Sequence, residues 1–206
     1  MNDLMSLGVH RLWKKNFIDW LNPQENTTLI DVASGTGDIA KLYLNKINYK
    51  GSVSCVDENK EMLDLNKKKI KKNANVKWFC NSAEKLPFEN DYFDYYTISF
   101  GIRNVNNINR ALKEAYRVLK PGGKVITLHP NIRYLYMSYW DYFDHHVPLT
   151  ENSIAEGLEV SGFKVEVSIA KFLPFTTKSK IPKHPILVKL YLMFPVVWKI
   201  MGKQAL

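Results

Sequence analysis

The feature that most constrains the fold of this 206-residue chain is an apolar run that ends in a glycine-rich turn. Residues 29–37 read Leu-Ile-Asp-Val-Ala-Ser-Gly-Thr-Gly, and a helix-compatible stretch starts at Asp38. Gly35 and Gly37 allow the backbone to turn sharply and to approach a ligand closely. Asp57 ends a second apolar run, where its carboxylate is placed to accept two ribose hydroxyls. We therefore expect a parallel sheet that presents a nucleoside-bearing cofactor to its loops.

The glycine turn does not by itself choose between two kinds of cofactor. Residues 35–40 also satisfy the Gly-x-Gly-x-x-Ala form that binds dinucleotides. A dinucleotide-dependent oxidoreductase is therefore one alternative. It predicts a proton-relay group such as Tyr-x-x-x-Lys, which does not occur in the stretch after the fourth predicted strand.

Strands and helices alternate along the first two thirds of the chain. Hydrophobic periodicity predicts a helix over 4–21, strands over 27–32, 51–57, 75–80, 93–100 and 124–129, and helices over 37–47, 59–72 and 105–119. Pro121-Gly122-Gly123 is a turn signal between the last helix and the fifth strand. This alternation is typical of an α/β protein with a doubly wound, mainly parallel sheet.

The order of these elements resembles that of class I S-adenosylmethionine-dependent methyltransferases, whose fold is Rossmann-like. Residues 2–14 and residues 98–105, Ile-Ser-Phe-Gly-Ile-Arg-Asn-Val, resemble the ubiquinone/menaquinone C-methyltransferases, the UbiE family. The resemblance to that family covers roughly residues 1–126. Residues 129–206 are more similar to the C-terminal half of other class I methyltransferases. The resemblance implies S-adenosylmethionine as cofactor and a polyprenylated benzoquinol or naphthoquinol as methyl acceptor.

The resemblance also implies roles for individual residues. Those implied to bind the cofactor are Asp31, Gly35, Thr36, Gly37, Asp57, Ser82, Ala83 and Ser99. Arg103 is the candidate to stabilise a developing phenolate, with Asn104 orienting it or a water molecule. Because arginine stays protonated, a water molecule, a carboxylate or a histidine must take the proton.

The whole chain is expected to form one domain. It consists of an N-terminal helical segment (1–26), a cofactor-binding core (27–129), and a region with a substrate cap, a last strand and a basic apolar tail (130–206). In the last region we expect a helix over 151–161, a sixth strand over 162–167 and an incomplete seventh strand. Six aromatic residues within ten positions either pack or cover an apolar ring: Tyr134, Tyr136, Tyr139, Trp140, Tyr142 and Phe143.

Charge and cysteine content bear on partners and compartment. Residues 162–206 hold eight lysines and a single acidic residue, Glu166, so +7 of the net charge of +9 lies there. Such an excess favours anionic surfaces, and the apolar stretch 185–201 fits either a helix lying on a membrane or a packed segment. No nucleic-acid-binding module accompanies the charge, so we expect no nucleic acid partner. Cys55 and Cys80 are expected to be buried, reduced thiols in a cytoplasmic protein.

Three further alternatives concern chemistry. Asp141, Asp144 and His145 would share a helix face and could supply a base, but no further Cys or His at ligand spacing supports a metal site. The acceptor atom could be oxygen or nitrogen of another small or lipid-linked molecule. The chain could also bind the cofactor as an inactive regulatory module.

Overall fold

The computed structural model describes residues 9–71, 74–141 and 147–170, together with the single residue Ile186, and gives only the backbone for residues 9, 10 and 136–138. The first half contains helix α1 (Val9–Leu21), strand β1 (Thr27–Val32), helix α2 (Asp38–Lys46), strand β2 (Gly51–Asp57), helix α3 (Lys60–Lys69) and strand β3 (Val76–Cys80). The rest contains strand β4 (Phe93–Ser99), a 3₁₀ helix (Ile102–Asn104), helix α4 (Ile108–Val118), strand β5 (Leu119–Leu128), helix α5 (Ile132–Leu135), a second 3₁₀ helix (Tyr136–Asp141) and helix α6 (Glu151–Val160).

The described strands form one sheet in the order β3-β2-β1-β4-β5, and every neighbouring pair is parallel. The chain therefore winds outward from β1 in one direction and then, from β4, in the other. This is the doubly wound α/β arrangement expected from the sequence. Ligands in such sheets bind outside the carboxyl ends of the strands, where the strand order reverses between β1 and β4.

Both faces of the sheet are buried, as parallel sheets require. Successive residues of a strand point to opposite faces, so Leu29 and Ile30 belong to different core clusters. Leu29 packs with Phe17 of α1 and Tyr43 of α2. Ile30 packs on the other face with the apolar side of α4: Ala111, Leu112, Ala115 and Val118.

The fifth strand begins earlier than the sequence predicts. Leu119 pairs with Phe93 and Lys124 pairs with Tyr95, so five steps along β5 match two steps along β4. The Pro-Gly-Gly segment bulges out between these pairs, and Gly122 adopts a left-handed φ of 77°. Pairing resumes after the bulge, so the turn interrupts the strand without ending it.

Two expectations for the outer parts of the sheet are wrong. Residues 162–167 form no strand: Phe163 and Val165 are half-buried and Lys164 and Glu166 are exposed, yet no strand in the described part of the chain pairs with them. An alternating pattern sets which side chains face inward, but a strand also needs a partner's backbone groups. Cys80 is exposed because it ends the edge strand β3, whereas Cys55 in the second strand is buried as expected.

The expected seventh strand and the apolar stretch 185–201 lie outside the described residues, apart from Ile186. Of the six clustered aromatic residues, Tyr142 and Phe143 also lie outside them. Tyr139 is fully buried and packs edge-on against Trp140, which is 56% exposed. Within the described ranges we find no helix with both the length and the apolar character needed to cross a membrane.

Candidate functional site at the carboxyl ends of the strands

The turn after β1 is held in an unusual backbone conformation. Ala33, Gly35 and Gly37 all have positive φ, of 51°, 51° and 77°. Ser34 donates its backbone N–H to the carbonyl of Val56 at 3.1 Å, which ties the turn to the end of β2. Positive φ is strained for residues with a Cβ, so glycine suits positions 35 and 37, whereas Ala33 bears this strain.

The two glycines face different surroundings. A Cβ at Gly37 would lie 2.2 Å from Oδ1 of Asn66, a fully buried residue of α3. Asn66 also accepts a hydrogen bond from the Trp78 indole at 3.1 Å and donates one to the Ser34 hydroxyl at 3.4 Å. A Cβ at Gly35 would have no described atom within 4 Å. The turn is therefore packed against α3 on one side and open on the other, where Thr36 lies half-buried.

Asp57 joins the loops that follow β1 and β2. Its Oδ2 accepts the backbone N–H of Gly35 at 2.8 Å, and its Oδ1 accepts that of Asn59 at 2.9 Å. A carboxylate has about four acceptor positions, so these two bonds leave capacity for hydroxyl groups. The carboxylate therefore lies at the mouth of the glycine turn and also shapes it.

Asp31 is a buried carboxylate beneath the turn, with an exposed fraction of 1%. Oδ1 accepts a hydrogen bond from the Thr97 hydroxyl at 2.7 Å, while Oδ2 has no hydrogen-bond partner among the described residues. Burial, together with the nearby charge of Asp57, raises the pKa of Asp31 to about 7. The Thr97 hydrogen bond and the charge of Lys14 lower the pKa, but by less. A buried carboxylate with an unused oxygen fits a cationic group such as the ammonium of a methionine moiety.

Ser82 and Ala83 follow the edge strand β3. The Ser82 hydroxyl accepts the backbone N–H of Glu84 at 3.3 Å, so it serves the local turn. Ala83 is buried and packs with Leu86 in the core. These two residues shape the loop that follows β3, beside the carboxyl end of β2.

Ser99 and the loop after β4 lie next to the glycine turn. The Ser99 hydroxyl is buried and has no hydrogen-bond partner within the described part of the chain. A Cβ at Gly101 would lie 2.2 Å from Cβ of Ala33, so the loops after β1 and β4 are in direct contact. Residues predicted from separate motifs are therefore brought to one edge of the sheet.

A cation and two aromatic rings form a wall beside Ser99. The buried Arg103 guanidinium lies 5.6 Å from the centre of the Phe100 ring. The Phe100 ring in turn meets the Trp13 ring of α1 edge-on at 5.1 Å. Asn104 completes the 3₁₀ helix, but it is exposed, so the structure does not bring its side chain to this wall.

Sequence reasoning missed Trp13, Asn66, Phe100 and His129 as site residues. Trp13 and Phe100 stand inside the two segments that carry the family resemblance, so position within those segments was the available signal. Asn66 stands before a run of lysines and His129 follows a strand, which are unremarkable contexts in one sequence. His129 is half-buried, and its Nδ1 lies 3.0 Å from the carbonyl oxygen of Pro130.

Only Asp141 of the alternative acid–base cluster lies within the described residues. Asp141 is exposed, while Asp144 and His145 lie outside the described residues. Among the residues that the structure does describe, no group of three or more His, Cys, Asp or Glu side chains is arranged to hold a metal ion.

Solved structures share this fold. A putative methyltransferase from Bacillus halodurans superimposes with a TM-score of 0.66 and 23% identity, over 75% of this chain and 70% of that one. A SAM-dependent methyltransferase from Aquifex aeolicus has a TM-score of 0.62 and 21% identity, over 75% of this chain and 81% of that one. At these identities the likeness establishes the fold.

Sequence relatives are closer. The protein named ubiquinone/menaquinone biosynthesis C-methyltransferase UbiE of Bartonella quintana is 44% identical over 183 residues, covering 84% of this chain and 69% of its own length. The Rickettsia prowazekii protein of the same name is 53% identical over 134 residues, covering 62% of this chain and 54% of its own length. The chain thus spans between about half and two thirds of the relatives it matches.

The model of the ubiE/COQ5 methyltransferase family matches residues 1–180, which extends beyond the segment 1–126 that carried the resemblance. The match covers the glycine turn, Asp57 and the Arg103 wall together. This chain belongs to the ubiE/COQ5 methyltransferase family.

Proposed function

We propose that this chain transfers a methyl group from S-adenosylmethionine to a ring carbon of a polyprenylated benzoquinol or naphthoquinol, in ubiquinone or menaquinone biosynthesis. Family membership identifies the class of reaction, S-adenosylmethionine-dependent methyl transfer. The identity of the methyl acceptor is what the proposal adds to this reaction class. The observation that supports it is the buried Arg103 over the Phe100 ring, which in turn packs edge-on against Trp13, directly beside the cofactor turn.

The residues around the glycine turn fit the cofactor. The unpartnered Oδ2 of Asp31 can receive the ammonium group, and Asp57 has acceptor capacity for the ribose hydroxyls. Gly35, Thr36 and Gly37 line the turn between them, Ser82 and Ala83 border the adenine side, and Ser99 lies towards the reacting end. S-adenosylmethionine supplies an already activated methyl group, so the chain mainly has to align the acceptor and exclude water.

The wall beside Ser99 suits an aromatic acceptor with a phenolic oxygen. Aromatic rings pack favourably against Trp13 and Phe100. A buried guanidinium stabilises negative charge more strongly than an exposed one, because the surroundings screen it less. Arg103 therefore lowers the energy of a quinol that ionises as its ring carbon reacts, whereas the exposed Asn104 takes no part at this wall.

Membrane contact is a separate part of the proposal. A polyprenylated quinol resides in a bilayer, and the lysine-rich residues 162–206 favour an anionic surface. We propose that the cytoplasmic face of the membrane is where the chain meets its acceptor.

Turnover with defined acceptors tests the proposal. Purified protein is incubated with S-adenosylmethionine and demethylated quinols, and mass spectrometry detects a gain of one methyl group on a ring carbon. Methylation at oxygen or nitrogen, or of a different acceptor only, would contradict the proposed acceptor. Cofactor binding without any turnover would favour an inactive binding module.

A further inference from the structure

His129 stands at the carboxyl edge of the sheet beside the proposed acceptor wall. It directly follows Leu128, which pairs with Ser99 at the end of β4. The backbone N–H of Phe100 donates to the Leu128 carbonyl at 2.6 Å, which fixes the two strand ends together. Phe100 also carries the Arg103 guanidinium over its ring, and the charge of Arg103 lowers the pKa of the His129 imidazole. The strand pairing therefore places His129 beside the proposed acceptor wall.

The hydrogen bond of His129 fixes its tautomer. A carbonyl oxygen can only accept, so the 3.0 Å contact with Pro130 requires that Nδ1 carries the proton. In the neutral ring, Nε2 then holds the free lone pair. The ring is thus prepared to accept a proton at Nε2.

The surroundings keep the imidazole neutral near pH 7. Burial lowers the pKa of His129, and Arg103 lowers it further, while the Pro130 carbonyl and Glu151 oppose the shift. Glu151 of α6 receives a hydrogen bond from Asn131 at 2.7 Å and an ion pair from Arg133 of α5 at 3.1 Å. Burial is the largest of these influences, so the pKa of His129 is lowered on balance although Glu151 raises it.

We propose that Nε2 of His129 takes the proton of the acceptor's ring hydroxyl. This inference rests on the proposed function and names the proton acceptor that an arginine cannot be. The O–H bond breaks and an N–H bond forms at Nε2, while the electron pair stays on oxygen and is delocalised to the ring carbon that receives the methyl group. The new carbon–carbon bond forms as the methyl–sulfur bond breaks. The methylated ring carbon then gives its proton to water, the electrons of that C–H bond restore the aromatic ring, and the oxygen takes a proton from water. His129 finally gives its proton to solvent, so one proton is released in total.

The central test replaces His129 by glutamine, which keeps polar atoms but cannot hold a proton. General-base catalysis contributes on the order of 10²–10⁴-fold, so we expect His129→Gln to lower kcat at pH 7 by about 100-fold or more. The acidic limb of the kcat/KM profile should also disappear. Affinity for S-adenosylmethionine, measured by calorimetry, should stay within about twofold.

Two variants of α6 test the effect of charge on His129, one close to the imidazole and one as its control. Glu151→Gln removes the negative charge that raises the pKa of His129, so the acidic limb should move to lower pH. Glu159→Gln changes an exposed glutamate of the same helix and should leave the profile unchanged. Identical profiles for wild type, His129→Gln and Glu151→Gln would overturn the proposal.

A binding measurement separates this inference from the acceptor assignment. 4-Nitrophenol changes its absorption when it ionises, and it should ionise at lower pH when bound to wild type than when bound to His129→Gln. If no quinol is methylated, the proposed function fails, and this difference still tests His129. Ionisation at the same pH in both proteins, or no binding to either, would overturn the role of His129.

Discussion

Gly37 lies so close to Asn66 that position 37 has no room for a side chain. A Cβ there would meet Oδ1 of Asn66 at 2.2 Å, and Asn66 is itself held by Trp78. The glycine turn is therefore locked to α3 through a single buried amide. This contact links the shape of the cofactor turn to the stability of the sheet edge.

Gly37→Ala should destabilise the protein and weaken cofactor binding. The left-handed backbone costs alanine about 1–2 kcal/mol, and the contact with Asn66 adds to this. Gly35→Ala is the matched control, because it has a similar φ but open space around the added methyl. Urea unfolding should give a larger loss for Gly37→Ala. Equal losses for both variants would contradict the role of Asn66.

Asp31→Asn should make the protein more stable at pH 8 while weakening its hold on S-adenosylmethionine. Burial raises the pKa of Asp31 from 3.8 to about 7, so between these values the folded chain holds a proton that the unfolded chain has lost. The free energy of unfolding therefore falls as pH rises from about 4 to 7, by on the order of 4 kcal/mol, and then levels.

Urea unfolding of wild type and Asp31→Asn at pH 5 and pH 8 checks this slope. The asparagine variant should show a smaller decrease between the two pH values. Calorimetry should show weaker binding of the cofactor, because the ammonium loses its charged partner. An unchanged pH dependence would show that Asp31 ionises normally.

Asp57→Asn should weaken cofactor binding by about 1.5–3 kcal/mol, the magnitude of a hydrogen bond to a charged group. Asparagine retains one oxygen for the Gly35 N–H, so the turn is disturbed less than by alanine. Glu58→Gln, at the next position of the loop, is the control. Affinity is measured by calorimetry, and equal affinities for wild type and Asp57→Asn would contradict a ribose contact.

Arg103→Lys should lower turnover by about tenfold or more and leave cofactor affinity nearly unchanged. Lysine keeps the charge but not the planar group that lies over the Phe100 ring. Arg110→Lys, an exposed position of α4, is the matched control. Steady-state kinetics gives the turnover number of each variant, and calorimetry gives its affinity for S-adenosylmethionine. Parallel losses in turnover and cofactor affinity would refute an acceptor role for Arg103.

Arg117→Met should destabilise the protein by about 1–3 kcal/mol, because two backbone carbonyls lose a charged donor. Arg117 donates to the carbonyls of Leu86 and Phe88 at 3.1 and 2.7 Å and is paired with Glu114. Lys113→Met, an exposed residue of the same helix, should change stability little. Thermal unfolding distinguishes the two variants. Similar midpoints would contradict the role of Arg117 in anchoring the loop between β3 and β4.

The strands next to the glycine turn were predicted closely because local chemistry marks their ends. β1 ends at Val32, shortly before the turn glycines, and β2 ends at Asp57, as the sequence predicts. The fifth strand was misjudged because a bulge at Gly122 lets pairing continue on both sides. The predicted sixth strand failed since alternation is a property of the segment, whereas pairing depends on a neighbouring strand.

The site was predictable only as far as its residues belong to local motifs. Asp31 and Asp57 stand in the last two positions of their strands, and Arg103 follows the end of β4 by four residues. Asn66 and His129 are recruited by topology: one reaches the turn from a helix between β2 and β3, and the other arrives on the last strand. Their role depends on neighbours distant in sequence, which a single sequence does not reveal.

The most direct test of the account is a calorimetric titration of the purified protein with S-adenosylmethionine and, separately, with NAD. We predict saturable binding of one S-adenosylmethionine per chain and no binding of NAD. Absence of heat with S-adenosylmethionine at millimolar concentration, or saturable binding of NAD in its place, would contradict the assignment of the glycine turn, Asp31 and Asp57 to this cofactor.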